Sequence, residues 1–414
     1  MTLSEELVWR GFLNQTTLDD ITKLDDEKRT FYMGFDASAD SQAVGNLAAM
    51  MFIWTFIRHG YDPIILAGGS TSLVGDPKDT EERQMQSEET IAHNVACAQK
   101  QLQKIFRDQK FRMVNNLDWT RDVKVLDFLR NIGKNFSMTN LVQRDFIAKR
   151  MGEGGSGISF AEFSYTLLQG LDYLHLFDTY NCTLQLGGSD QWGNCLSGVE
   201  LIRKTRGAEV DVVTLNLVID KTTGRKFGKS EAGAVWLDET KTSPFKFYQF
   251  WLNTGDADAI DYLKIFTLLE PGDVELLEQE MSHDAASRPA QKRLAYEVTK
   301  IVHGEDRAES VQKISNVLFG GAEYSDLEAK DFRELEAELP TSEVGNEYSL
   351  VDFMVESGLA SSNTEARRFL SDSAVYINGS QLPLDQSHFT EHDFINGYAI
   401  VRRGKNTLAL AKCS

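Results

Sequence analysis

One design occurs twice in this chain: a short apolar strand, a turn of small polar residues, then a helix. The first copy is YMGFDASADSQAVGNLAAM, Tyr32–Met50. Tyr32-Met33-Gly34-Phe35 reads as the end of a buried strand, Asp36 to Ser41 as a tight crossover, and the apolar run from Gly45 to Ile57 as a buried helix. The second copy is CTLQLGGSDQWGNCLSGVELIRK, Cys182–Lys204. Its Gly187 and Gly188 let backbone approach a ligand closely, and Asp190 suits a pair of ribose hydroxyls. A strand that runs into a helix N-terminus makes an anion site, because the first amides of a helix have no internal partner. The glycine spacing in the first copy is neither GxGxxG nor GxxxxGK[ST], which sets aside the dinucleotide fingerprint and the P-loop.

Between the two copies the alternation continues. IILAGG (Ile64–Gly69) is a strand, and the polar STSLVGDPKDTEER after it holds Asp76 and Arg83. Ser87 with Glu88 and Glu89 caps a helix to about Phe106, and FRMVNNLDW reads as a strand, then a loop. This alternation predicts an α/β fold with a parallel sheet covered on both faces. At 414 residues the chain exceeds one compact core, so two or three domains are expected. A net charge of −19 argues against a general polyanion binder, though locally placed Arg and Lys can still make an RNA site. The N-terminus lacks a basic segment, and Leu47–Ile57 is too short to span a bilayer. Four cysteines form no CxxC pair. The expectation is a reduced, cytoplasmic, metal-free protein without a membrane or DNA partner.

The helix predicted from Ser159 carries an apolar stripe of Phe160, Phe163, Leu167, Leu171 and Leu174. Tyr165, Gln169 and Asp172 stand at i, i+4 and i+7 and share another face. Their neighbours are apolar almost all round, so the polar stripe should line a cavity for a small polar ligand. Further on, Asp211–Ile219 alternates as a strand and ends in KTTGRKFGKSEAG. Lys226, Lys229 and Ser230 there sit in a glycine-bracketed loop suited to a polyphosphate.

Taken in order, YMGFDASAD, AGGSTSLVGDP, ISFAEFSYTLLQGLDY, LQLGGSDQWGN, KFGKS and KTSPFKFYQFWLNT resemble the bacterial tyrosyl-tRNA synthetases, class I aminoacyl-tRNA synthetases, essentially end to end. KFGKS answers that family's KMSKS loop. The resemblance implies a Rossmann-like catalytic domain and a ligase that joins tyrosine to tRNA through tyrosyl-adenylate, with ATP as substrate and Mg2+ bound through the nucleotide. By the same resemblance Tyr32 and Asp172 would bond the substrate phenol. Asp76, Tyr165 and Gln169 would hold its α-ammonium, and Gln185 and Gln191 would border its carboxylate. Asn115 or Asn116 would steady Asp172. Gly34, Asp36, Gly45, Gly188 and Asp190 would bind ATP and the adenylate. Lys226, Lys229 and Ser230, with Ser38 and Arg83, would grip the leaving pyrophosphate, and Asn46, in the place of a signature histidine, would be catalytic.

The departures lie in the other signature. The family's HIGH tetrapeptide reads Ala43-Val44-Gly45-Asn46 here, so Asn46 keeps an amide donor and Ala43 has none. Met33 replaces a residue that usually can donate to ribose. A lost charge-assisted hydrogen bond costs about 1.5–3 kcal/mol, which slows such an enzyme without abolishing it. An active synthetase with a variant signature is expected. The alternatives are a non-catalytic RNA-binding or tyrosine-sensing relative, and an adenylating enzyme for a modified tyrosine.

Four segments are expected: a catalytic domain over 1–243, a helical domain over 244–325, a linker over 326–346 and a C-terminal domain over 347–414. The last resembles the small RNA-binding fold shared with a ribosomal protein and pseudouridine synthases, with Asn378-Gly379 as a hairpin turn. Arg367, Arg368, Arg402, Arg403 and Lys405 would meet tRNA phosphates. The family arrangement implies a homodimer.

Overall fold

The computed structural model describes residues 1–76, 86–142, 145–152, 155–221, 223–224, 227–230, 233–345, 347–404 and 407–413, with backbone alone at 140, 145, 146, 149, 229 and 230. They form two compact units, residues 1–238 with 254–290 and residues 239–253 with 291–414.

In the first unit a six-stranded sheet carries β1 (Leu13–Thr16), β2 (Thr30–Asp36), β3 (Asp62–Gly68), β4 (Arg112–Asn115), β5 (Cys182–Gly188) and β6 (Asp211–Leu215) in the order β1-β6-β5-β2-β3-β4. Every neighbouring pair is parallel except β1 with β6. The central strands are apolar on both faces, as helices on both sides of a parallel sheet require. Phe31, Tyr32, Met33 and Phe35 of β2 are buried, and so is β3 from Pro63 onward. The helices of this unit include α1 (Val44–Arg58), α2 (Glu88–Ile105), α3 (Phe160–Tyr180) and α4 (Trp192–Arg206). Ser159 caps α3 by accepting from the Glu162 amide, and Asn181 ends it in the left-handed conformation at φ 52. Phe160, expected in the apolar stripe of α3, is instead 74% exposed. It is the first helical residue and lies before the turn where α3 meets the core.

After β2 the chain moves outward through β3 to β4, whereas β5, β6 and β1 lie on the other side. The strand order therefore reverses between β2 and β5, where a crevice opens beyond the carboxyl ends of an α/β sheet. Register sets Tyr32 opposite Gln185. Beyond β6, the short strands β7 (Lys229–Ser230) and β8 (Gly233–Ala234) pair with each other, and helix α5 spans Asp256–Phe266.

In the second unit, helices Pro244–Leu252, Glu305–Phe319 and Ala329–Glu336 accompany a five-stranded sheet. Its strands are β9 (Thr341–Val344), β10 (Val375–Ile377), β11 (Ser380–Gln381), β12 (Tyr398–Arg403) and β13 (Thr407–Cys413), in the order β11-β10-β12-β13-β9. Asn378 (φ 44) and Gly379 (φ 80) make the β10–β11 hairpin turn, both in the left-handed region. Side chains alternate across the sheet with period two. Ala399, Val401, Ala409 and Ala411 pack in a core with Leu350, Phe353 and Ala366. Tyr398, Ile400 and Leu410 face a second core of Ile314, Val317, Leu327, Phe332 and Leu335. Residues 326–346, expected as a linker, thus hold a helix of that second core and strand β9. No helix among the described residues is long and apolar enough to cross a membrane.

Candidate active site

A cavity of about 460 Å³ opens at the carboxyl ends of β2 and β5. Its deep end is built on α3. Asp172 is 2% exposed, and its two oxygens accept from different side chains, Oδ2 from Asn116 Nδ2 at 3.0 Å and Oδ1 from Trp119 Nε1 at 2.8 Å. Of Asn115, the last residue of β4, and Asn116, which follows it, Asn116 is therefore the one bonded to the aspartate. Its own Oδ1 accepts from the Ser70 amide at 2.8 Å, and its Nδ2 also reaches Thr71 Oγ1 at 3.2 Å. Thr71 and the Tyr165 hydroxyl both donate to Asp36, at 3.2 and 3.3 Å. Asp36, Thr71, Asn116 and Asp172 thus form one connected chain. Burial pushes the Asp172 carboxyl up to about 7, against the lowering by its two donors and with a further push from Asp36.

In the same cavity as this carboxylate, three buried polar atoms find no hydrogen-bond partner among the described residues: Tyr32 Oη, Gln169 Oε1 and Gln185 Oε1. All three side chains line the cavity. Buried polar atoms are ordinarily partnered, so a cluster left open in a cavity is a place for a polar ligand. Burial, then the nearby Cys195 and Asp172, raises the Tyr32 phenol well above its ordinary value, so at neutral pH it is a donor. Further along, Asp76 accepts from Gln191 Nε2 at 2.7 Å and Asn194 Nδ2 at 3.3 Å, and Asn194 accepts from Thr166 at 2.7 Å.

The other half of the cavity is the first turn of α1. Ala43 is its N-cap and supplies no side-chain cap, while Asn46 Oδ1 accepts the Ala43 amide at 3.3 Å. Gly34, Ser38, Gly45 and Asn46 line this half. Across from them stand Gly188 and Asp190 on the β5 turn. The Asp190 carboxylate lies back over Gly188, where a Cβ would come within 2.5 Å of Oδ1. Segment 235–237 runs beside the turn, with the Val44 amide donating to Val235 O and the Leu237 amide to Gln42 O, both at 2.9 Å. A carboxylate pocket at one end and a helix N-terminus with a glycine turn at the other could hold an amino acid next to a nucleotide.

Every expected tyrosine-site and nucleotide-site residue that the structure describes lines this cavity. Arg83, Lys226 and Lys405 lie outside the described residues, as do the side chains of Lys229 and Ser230. Trp119, Thr71 and Asn194 escaped the reading of the sequence, because each acts through a partner distant in the chain. On the second unit, Arg402 lies over the Tyr376 ring at 4.3 Å, and Arg403 and Arg368 lie over Phe369 at 4.9 and 5.2 Å. Arg367 is exposed on the same helix as Arg368.

A family model described as class I tRNA synthetases (W and Y) matches residues 24–320, and the tyrosine–tRNA ligase SYY-like C-terminal domain matches 331–411. The tyrosine–tRNA ligase of Bacillus caldotenax is 42% identical over 422 residues, covering 100% of each chain. That of Listeria monocytogenes is 42% identical over 414 residues and 98% of each. Among solved structures, a C-terminally truncated mitochondrial tyrosyl-tRNA synthetase of Aspergillus nidulans superposes with a TM-score of 0.69 at 29% identity, over 77% of this chain and 94% of that one. With matches of this extent over both units, the chain belongs to the class I aminoacyl-tRNA synthetases and, within them, to the tyrosine–tRNA ligase family.

Proposed function

We propose that this tyrosine–tRNA ligase carries out both of its steps in the β2/β5 cavity. Tyrosine fills the deep end and ATP spans the α1 turn. The observation that carries this reading is the set of Tyr32 Oη, Gln169 Oε1 and Gln185 Oε1, left without partners among the described residues in the cavity that Asp172 also lines. A phenol fits there, donating to Asp172 and accepting from Tyr32. Asp76, Tyr165 and Gln169 take the α-ammonium, and Gln185 and Gln191 border the carboxylate.

A tyrosine carboxylate oxygen attacks the α-phosphorus of ATP and pyrophosphate leaves. A hydroxyl of the terminal tRNA ribose then attacks the tyrosyl carbonyl and AMP leaves. No side chain acts as nucleophile. The protein positions the reactants and stabilises charge on the pentacoordinate phosphorus. Gly34, Asp36, Gly45 and Gly188 border the nucleotide, and Asp190 takes the ribose hydroxyls. Lys226, Lys229 and Ser230, with Ser38, Asn46 and Arg83, hold the departing pyrophosphate. Mg2+ would be held through the ATP phosphates and would supply neutralisation of their charge.

Arg367, Arg368, Arg402, Arg403 and Lys405 meet the tRNA backbone, and the stacking of three of them on aromatic rings supports a preformed surface. The protein works in the cytoplasm as a homodimer. Support for the dimer comes from Val125 and Leu126, 72% and 78% exposed, close to the exposed Leu129.

The test is tyrosine-dependent ATP–pyrophosphate exchange followed by charging of bulk tRNA. Exchange and charging are expected. Ala43 favours one competitor: tyrosine binding without exchange would make the protein a non-catalytic sensor. A clear preference for a hydroxylated or methylated tyrosine would make it an adenylating enzyme for that analogue.

A further inference from the structure

Phe227 sits between Lys226 and Lys229 in KFGKS and has no polar atom on its side chain. Its ring is 8% exposed, edge-on to Tyr262 at 4.8 Å and 65°, and 5.1 Å from Phe266. Tyr262 and Phe266 are four residues apart on α5 and so present one aromatic seat. The Phe227 amide donates to Val218 O at 2.9 Å. Its carbonyl oxygen lies 3.3 Å from where a Cβ on Gly45 would stand. Gly228 follows at φ +94, with a Cβ position only 2.9 Å from the Gly45 amide nitrogen, so no other residue fits there without displacing the first turn of α1.

The seat itself is fixed. Arg10 is buried and donates to the carbonyls of Lys264, Thr267 and Leu269 at 2.6, 2.7 and 3.2 Å, tying down the end of α5. A segment of small and charged residues is thus pinned at its middle, between an aromatic pair on one helix and the N-terminus of another.

We propose that Phe227 is a positioning residue for the pyrophosphate side of the reaction, its ring on Tyr262 and Phe266 setting where the KFGKS backbone meets the first turn of α1. This rests on the role assigned above to Lys226 and Lys229, which flank it. Removing the ring leaves both lysines in the chain but lets the backbone between them drift. A misplacement of about 1 Å in such a group can cost about 10²-fold in rate.

The experiment compares Phe227→Ala and Phe227→Met, each alone and combined with Lys229→Ala, in steady-state exchange, tyrosine titration and thermal melting. Phe227→Ala is expected to lower kcat by about 10–100-fold while KM and Kd for tyrosine stay within about twofold. Phe227→Met refills the seat and recovers most of the rate. In the Lys229→Ala background, Phe227→Ala costs clearly less than in the wild-type chain, because the part of its effect that runs through Lys229 is already gone. An equal loss in both backgrounds overturns the proposal and leaves Phe227 as packing only. Full activity of Phe227→Ala beside an inactive Lys229→Ala overturns this inference and spares the reading of the site. Full activity of Lys226→Ala and Lys229→Ala removes that reading and this inference with it. Should Phe227→Ala not fold, Phe227→Val, which is too short to reach Tyr262 and Phe266 as the ring does, carries the same comparisons.

Discussion

Trp119 and Asp172 are joined by one hydrogen bond, indole Nε1 to Oδ1 at 2.8 Å, and the same indole lies flat on His175 at 4.3 Å and 14°. Trp119→Phe keeps a ring on His175 and removes the donor. A hydrogen bond to a charged group is worth about 1.5–3 kcal/mol. Calorimetric titration should show the tyrosine Kd rising by about tenfold or more, with kcat for exchange little changed.

Asp172 also predicts a pH dependence. Its carboxyl stands at about 7 in the fold against 3.8 as the ordinary value, so between those limits the folded chain binds more protons than the unfolded one. Its contribution to stability is therefore full below the unfolded value and is lost as the pH rises through about 7. Asp172→Asn should flatten that part of the stability profile in denaturant melts. A phenol that donates to Asp172 prefers the ionised form, so tyrosine affinity should climb from about pH 6 to 8, and Asp172→Asn should abolish the climb.

Much of this site was legible because its parts are contiguous. The turns after β2 and β5 announce themselves by small residues between apolar runs, and Tyr165, Gln169 and Asp172 by helical spacing. Trp119 announces nothing: its partner lies 53 residues on, and only the fold brings them together. Phe160 misled because periodicity does not say where along a helix the core begins. The charged run over 326–346 reads as a linker yet holds a helix, Ala329–Glu336, because Phe332 and Leu335 suffice to bury one face of it.

Tyr32→Phe should separate recognition from chemistry. Its hydroxyl has no partner among the described residues, and the proposed site gives it the substrate phenol. Removing it should weaken tyrosine by about 10-fold and leave phenylalanine unaffected, so the ratio of the two kcat/KM values in exchange falls.

Ala43→His tests the variant signature. Ala43 lines the cavity at the N-cap of α1 and brings no donor. A donor there is expected to raise kcat for exchange by about 10-fold without changing KM for tyrosine, measured at saturating ATP.

Arg402→Ala and Arg403→Ala address the second unit. Both should leave exchange unaltered and raise KM for tRNA in charging. Each should reduce the slope of log affinity against log salt by about 1, measured by filter binding.

Strand β12 sends Tyr398 and Ile400 to one layer and Ala399 and Val401 to the other, and Phe332 stacks on Tyr398 at 4.9 Å and 5°. A fragment cut to begin at 347 would strip the roof from Tyr398, Ile400 and Leu410, turning an interior panel into a sticky outer one. The smallest separable piece for measuring RNA affinity therefore starts upstream of the Glu305–Phe319 helix, which supplies Ile314 and Val317 to that roof.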